Sequence, residues 1–255
     1  MKTVGVGGFG KAKLTKYQGK QAVVKFVNSS GDPRATLATC TMNRTDARNE
    51  GLVMILLSKN KNIAEVYGIE GHAIYMKYYP LGSLRKIIDD KKLKIDKYSI
   101  AYDIVNGLSA IHEYNFVHSD LKATNILCEE IYSNKLKKNY ITAVITDFGT
   151  ARLVGMKPIG YTHAFAPPEM GDEPLGFETD LYSLGKLFIE LFTGECKGIG
   201  KINYDNYESY VDEDCFLGYS DFYELVGECL SDEPEERTTL NEFKKFFKKH
   251  KFPFV

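Results

Sequence analysis

His118-Ser119-Asp120-Leu121-Lys122-Ala123-Thr124-Asn125 places one carboxylate, one ammonium and one amide at fixed offsets in a short polar stretch. Apolar runs flank it, Tyr114-Asn115-Phe116-Val117 before and Ile126-Leu127-Cys128 after. A loop pinned between two apolar segments can hold its polar side chains still at a surface cleft. Asp120 can take a proton from an attacking hydroxyl, Lys122 can neutralise a phosphoryl group, and Asn125 can bind a metal through its amide oxygen. His118 has apolar neighbours, so packing is expected of it rather than proton transfer.

Working outward, Ile100, Ile104, Val105, Leu108 and Ile111 recur at helical spacing, and residues 98–113 are predicted to form an amphipathic helix that delivers the chain to this loop. After Leu127 comes a polar excursion, 129–140, read as a surface hairpin. The apolar run 141–146 then reads as a strand ending at Asp147-Phe148-Gly149, 27 residues after Asp120. A carboxylate at a strand end can bind Mg²⁺. Further on, Gly160-Tyr161-Thr162-His163-Ala164-Phe165-Ala166-Pro167-Pro168-Glu169 precedes a strongly apolar helical pattern, Leu181, Leu184, Leu187, Phe188 and Leu191, for which Thr179 is a candidate cap. Cys229 to Arg237 follows with a central proline.

The first third is patterned for strands. Val4-Gly5-Val6-Gly7-Gly8-Phe9-Gly10 matches G-x-G-x-x-G, and glycines let the backbone approach phosphates closely. A dinucleotide-binding fingerprint would open a long helix after the last glycine. Residues 11–19 instead lack an apolar helical period and lead into the strand-like 21–26. An ordinary Gly-rich hairpin explains the motif, taken alone, about as well as a phosphate-covering loop. Lys25 closes Ala22-Val23-Val24-Lys25. Glu50 and Met54 share a helix face four residues apart, with Gly51 weakening that helix slightly. Asn62 to Gly68 and His72 to Tyr78 read as two further strands, broken at Tyr79-Pro80.

Composition bounds the rest. The chain has 255 residues, 44% hydrophobic and 26% charged, enough for a sizeable core. The net charge of −1 supplies no global field for nucleic acid or anionic lipid. Lysines cluster at 91–97 and 244–251, read as solvated helix faces. The five cysteines are scattered with no C-x-x-C pair, arguing against zinc or a disulfide framework and for a reducing, intracellular location, cytoplasmic or nuclear. No apolar run reaches the ~18 residues of a membrane span, and a monomer is expected.

Together these motifs resemble, in order and separation, those of the eukaryotic-type protein kinases. The resemblance implies one domain over 1–255 with an α+β, bilobal protein-kinase-like fold. It implies a small β-rich N-lobe (about 1–76), a hinge at 77–79 (Lys77, Tyr78, Tyr79) and a larger, mainly helical C-lobe from about 80. ATP would lie in the cleft among Val4, Gly5, Val6, Gly7, Gly8, Phe9, Gly10, Ala12, Ala22, Met76, Lys77, Tyr78 and Leu127. Lys25, oriented by Glu50, would position the phosphates, and Asn125 and Asp147 would hold Mg²⁺. Asp120 would orient and deprotonate the acceptor, and Lys122 would stabilise the transferring phosphoryl. Lys122 with Thr162 favours serine/threonine hydroxyls of protein substrates. Asp180 would brace the catalytic loop, and Arg237 would pair with Glu169.

Three departures stand out. Ser119 replaces the arginine that clamps a phosphorylated activation loop, so activity independent of loop phosphorylation is expected. Ala12 replaces the usual valine above adenine. Three residues precede Val4, so the first strand is expected to be clipped. A pseudokinase scaffold and a small-molecule phosphotransferase are the competing readings.

Overall fold

The computed structural model describes residues 3–7, 10–27, 49–90, 93–134, 137–171, 173–195 and 198–252, with side chains undescribed at 3–7, 10, 11 and 27. Gly8, Phe9, the polar approach 28–47, Lys91, Lys92, Cys40 and Cys196 lie outside the described residues. The chain divides into two compact units, Met1–Pro80 with Thr146–Gly149, and Leu81–Ile145 with Thr150–Val255. The division falls after Pro80 rather than at 76–79, and the first unit takes in the Asp147 tripeptide from far along the chain.

In the first unit five strands form one antiparallel sheet: β1 (Thr3–Gly7), β2 (Gly10–Tyr17), β3 (Lys20–Val27), β4 (Val66–Glu70) and β5 (Ala73–Lys77), in the order β1-β2-β3-β5-β4. The fourth strand starts later than its sequence pattern predicts. Asn62 N–H bonds the Asn60 side chain (2.8 Å), a local turn that keeps 62–65 out of the ladder until Lys77 N–H reaches the Glu65 carbonyl (2.9 Å). The β2–β3–β5 register has no slip, so alternation assigns the faces. Ala12, Lys25 and Ile74 align on one face, joined by Val23 and Met76. Ala22 and Val24 point to the other, under Tyr17 and Tyr75, whose rings are 4.6 Å apart.

Residues 49–57 form helix α1. Gly51 has a positive packing reason there: a Cβ would lie 2.3 Å from Ile69 Cδ1, so the bare backbone lets the helix close on β4. Glu50 and Met54 are both buried beside it.

The second unit is mainly helical. Helix α2 (Leu84–Asp89) is capped by Ser83, and α3 (Lys97–Glu113) by the Asp96 carboxylate, which accepts from Tyr98 and Ser99 N–H. Helix α3 occupies the predicted span within a residue. Helix α4 (Phe177–Thr193) begins earlier than predicted. Gly176 is its N-cap, and Thr179 sits one turn inside, its hydroxyl accepting from Gly176 N–H at 3.4 Å. The helix ends at Gly194, whose φ of 79° suits glycine. Short α5 (Tyr207–Tyr210), then α6 (Ser220–Glu228) and α7 (Leu240–Lys249) complete the set. Tyr98 centres an aromatic core, with Phe192, Phe222, Phe246 and Phe252 at 4.8–5.8 Å. Helix α7 buries Phe243, Phe246 and Phe247 and turns Lys245, Lys248 and Lys249 to solvent.

Small strands frame the loop of interest. β6 (Gly82–Ser83), β8 (Ile126–Ser133) and β9 (Lys138–Ile145) form one sheet, and β7 (Phe116–Val117) pairs with β10 (Arg152–Leu153). Of the 129–140 excursion, 129–133 and 138–140 are the outer arms of the β8–β9 hairpin. Within it, Asp103 of α3 accepts from Thr142 Oγ1 and Ala143 N–H (2.7 and 3.0 Å). Among the described residues no helix is long and apolar enough to cross a membrane.

One ammonium is buried in this unit. Lys186 of α4 donates to the Ile199 carbonyl (2.7 Å) and to the Ile202 carbonyl. Burial pulls its pKa from 10.5 down to about 8. In the window between these values the unfolded chain holds a proton that the folded one has released, so stability rises with pH there. Below it the full cost of the buried charge is present. Unfolding free energies from urea denaturation are therefore expected to climb between about pH 8 and 10, by on the order of 2 kcal/mol, with the climb absent from Lys186→Met.

Candidate active site

In the second unit, β7 ends at Val117 and β8 starts at Ile126, both fully buried, and these two anchors hold the loop between them. Asp180, on α4 and fully buried, accepts from His118 N–H (2.8 Å), Ser119 N–H (2.9 Å) and His112 Nε2 (2.9 Å). A carboxylate collecting three donors ties the central helix to the loop backbone. His118 is fully buried, and its Nδ1 accepts from Asp120 N–H at 3.3 Å. Ser119 has a φ of 61°, a conformation costly for a residue with a Cβ. Its hydroxyl donates to the Thr150 carbonyl (3.0 Å), while the Thr150 hydroxyl donates to the His118 carbonyl (3.0 Å).

These bonds set Asp120. Its Oδ2 accepts from Lys122 Nζ (2.6 Å) and from Asn125 Nδ2 (3.3 Å), and Asn125 Nδ2 also reaches the Asp120 carbonyl (2.9 Å). Its Oδ1 is buried with no hydrogen-bond partner among the described residues. A buried, unpaired carboxylate oxygen is an open acceptor. Lys122 Nζ also donates to Thr162 Oγ1 (2.6 Å), 40 residues away. Asp120, Lys122, Asn125 and Thr162 thus form one connected cluster.

The first unit carries a second cluster of charged side chains. Lys25 Nζ donates to Glu50 Oε1 (2.7 Å) and Asp147 Oδ1 (2.5 Å). Burial alone would pull this ammonium down, but the Glu50 and Asp147 carboxylates outweigh it and hold its pKa above the ordinary lysine value. Asp147, like Ser119, has positive φ (64°), and Phe148 beside it is buried. Met76 is buried in β5, and Tyr79 turns its hydroxyl to accept from Glu65 N–H (3.1 Å). Ala22 shares no face with Lys25; Val23, which the sequence reading passed over, does. Counting two residues back along the strand is the signal that finds it. Leu127 lies in β8 opposite Ser83 and Val144. For Gly5, Val6, Gly7 and Gly10 the structure gives backbone pairing alone, and Val4 falls at the register irregularity between Thr3 and Gly5.

Glu169 and Arg237 meet as a bidentate pair, Nη1 to Oε1 at 2.7 Å and Nη2 to Oε2 at 2.8 Å. The protein kinase domain matches residues 1–251 of the chain. The chain belongs to the protein kinase family. The kinase chain is 27% identical over 269 residues, 97% of its length, to a Dictyostelium discoideum protein named as a probable serine/threonine-protein kinase. It is 30% identical over 204 residues, 75% of its length, to a mitogen-activated protein kinase kinase kinase of Drosophila melanogaster. A dual specificity protein kinase of Dictyostelium discoideum is 23% identical over 256 residues, 94% of this chain. This chain spans 19%, 17% and 18% of the lengths of these three relatives. As in the family, a β-rich N-terminal part precedes a helical C-terminal part, and the fold is α+β.

Asn125 in the second unit and Asp147 in the first each carry a side-chain oxygen of the hard type that Mg²⁺ prefers. Among the described residues no cluster of three His, Cys, Asp or Glu side chains forms a closed metal cage.

Proposed function

We propose that this chain is a serine/threonine protein kinase that transfers the γ-phosphate of ATP to hydroxyls of protein substrates. The observation that carries the reading is Asp120. One of its oxygens is held by Lys122 and Asn125, and the other is buried and open to accept the acceptor's hydroxyl proton. Lys122, shared between Asp120 and Thr162, places positive charge where the transferring phosphoryl group would carry negative charge. Lys25, kept charged by Glu50 and Asp147, suits contact with phosphate oxygens. When bound, ATP would supply the phosphoryl group, and Asn125 and Asp147 would each offer an oxygen to Mg²⁺, whose charge would offset that of the phosphates. The lysine at 122 and the threonine at 162 support serine and threonine acceptors. The relatives include both a serine/threonine and a dual specificity kinase by name.

Independence from activation-loop phosphorylation belongs to the same reading. Ser119 spends its short neutral side chain on the Thr150 carbonyl and is buried, so it offers a loop phosphate no cation. Treatment with a phosphatase is expected to leave at least half of the transfer rate; loss of nearly all of it would refute this part. The free Cys128, Cys215 and Cys229 support a reducing compartment, cytoplasmic or nuclear.

The deciding assay follows labelled γ-phosphate into casein, with Lys25→Met and Asp147→Ala as controls. Labelled casein that both variants lose supports the proposal. Nucleotide binding without transfer would make the chain a scaffold, and labelled small alcohols a small-molecule phosphotransferase.

A further inference from the structure

Lys186 stands apart from the machinery above. A lysine fully enclosed in the central helix is expensive unless its protons are used. Here they go to two backbone carbonyls of one turn, Ile199 and Ile202, while Nζ lies over the Tyr182 ring, 5.4 Å from its centre. The turn between those carbonyls, Ile199–Lys201, carries Gly200, where a Cβ would lie 3.3 Å from Ala164 Cα and 3.5 Å from Ala164 Cβ. The clamped turn is therefore pressed against the 162–166 segment. One helical turn before Lys186, the Ser183 hydroxyl donates to the Phe165 carbonyl (2.9 Å). Within the segment, Phe165 and Ala166 N–H bond the Thr162 carbonyl (2.9 and 3.2 Å), and the Thr162 hydroxyl meets Lys122.

We infer that Lys186 is a positioning residue for protein-substrate binding: it clamps the 199–202 turn, which backs the 162–166 segment and so sets Thr162 beside Lys122 and Asp120. This rests on the kinase reading. No residue of the clamp touches Lys25 or Asp147 in the contacts above, so the nucleotide side of the reaction should not feel its loss. Replacement by methionine keeps the volume and removes a buried charge, so global stability should change little.

The test compares the wild-type chain, Lys186→Met and Gly200→Ala. Three quantities are measured: KM for casein, KM for ATP, and amide hydrogen exchange at Phe165 and Ala166. Both variants are expected to raise the casein KM about fivefold or more, with the ATP KM within about twofold, and to speed exchange at the two amides about tenfold. Unchanged casein KM and exchange in both variants would overturn the inference. So would equal rises in both KM values with a lowered melting temperature, since that is a structural role alone. Should Lys186→Met not fold, Gly200→Ala decides by the same split. If wild type transfers nothing to casein, the kinase reading has failed by itself; exchange at Phe165 and Ala166 then judges the clamp, faster in the variants supporting it and unchanged overturning it.

Discussion

Replacing Asp120 by asparagine is expected to lower phosphoryl transfer to protein by about 10²–10⁴-fold, the range a positioned general base contributes. Oδ2 is already occupied by Lys122 and Asn125, so the proton-accepting capacity resides on the buried Oδ1. An amide there cannot take a proton. It must also present either its NH₂ or its carbonyl to the Lys122 ammonium, and only the carbonyl is compatible. The change is nearly isosteric, and the Asp180 bonds to His118 and Ser119 N–H are untouched. Nucleotide affinity and melting temperature should therefore stay close to wild type. Transfer retained above a tenth of the wild-type rate would remove Asp120 from its proposed role.

The second large effect is on stability. Arg237→Ala is expected to cost about 3–5 kcal/mol, the penalty for breaking a buried pair by removing one partner. The Arg237 side chain is 0% exposed and Glu169 19% exposed, so the carboxylate left behind cannot fully rehydrate. The guanidinium also donates to the Ser231 and Glu178 carbonyls (2.9 and 3.0 Å) and lies 5.1 Å from the Tyr182 ring centre. Removing it thus strips partners from Glu169, the start of α4 and the Ser231 turn beyond α6 at once. Lys245→Ala offers the contrast. Its partner Glu242 and it are 44% and 72% exposed, and its loss should change stability by less than about 0.5 kcal/mol. Urea unfolding of both variants measures the difference. Equal small effects would mean that the Arg237 site relaxes or admits water.

Local patterning made much of this legible. The α3 span followed from apolar spacing, and residue types at short offsets singled out the polar groups of the 118–125 loop. The pairs Lys25–Glu50 and Glu169–Arg237 were named from family resemblance and are in contact. Where patterning misled, a neighbour intervened. A turn at Asn60–Asn62 delayed β4, and Gly176 took the cap that Thr179 was expected to supply. Ala22 was assigned to the nucleotide, but strand alternation turns it away from Lys25.

The sequence by itself determined the family, the order of the elements and the candidate polar groups, because each depends on residue types at fixed spacings along the chain. Tertiary structure alone decided which oxygen of Asp120 stays open, that Thr162 shares Lys122 with it, and that Lys186 clamps the turn behind Ala164. These depend on groups tens of residues apart becoming neighbours, and on the competition of donors for a few buried acceptors. Spacing along a chain carries no record of that competition; it is settled when the helices and strands close on one another and water is excluded.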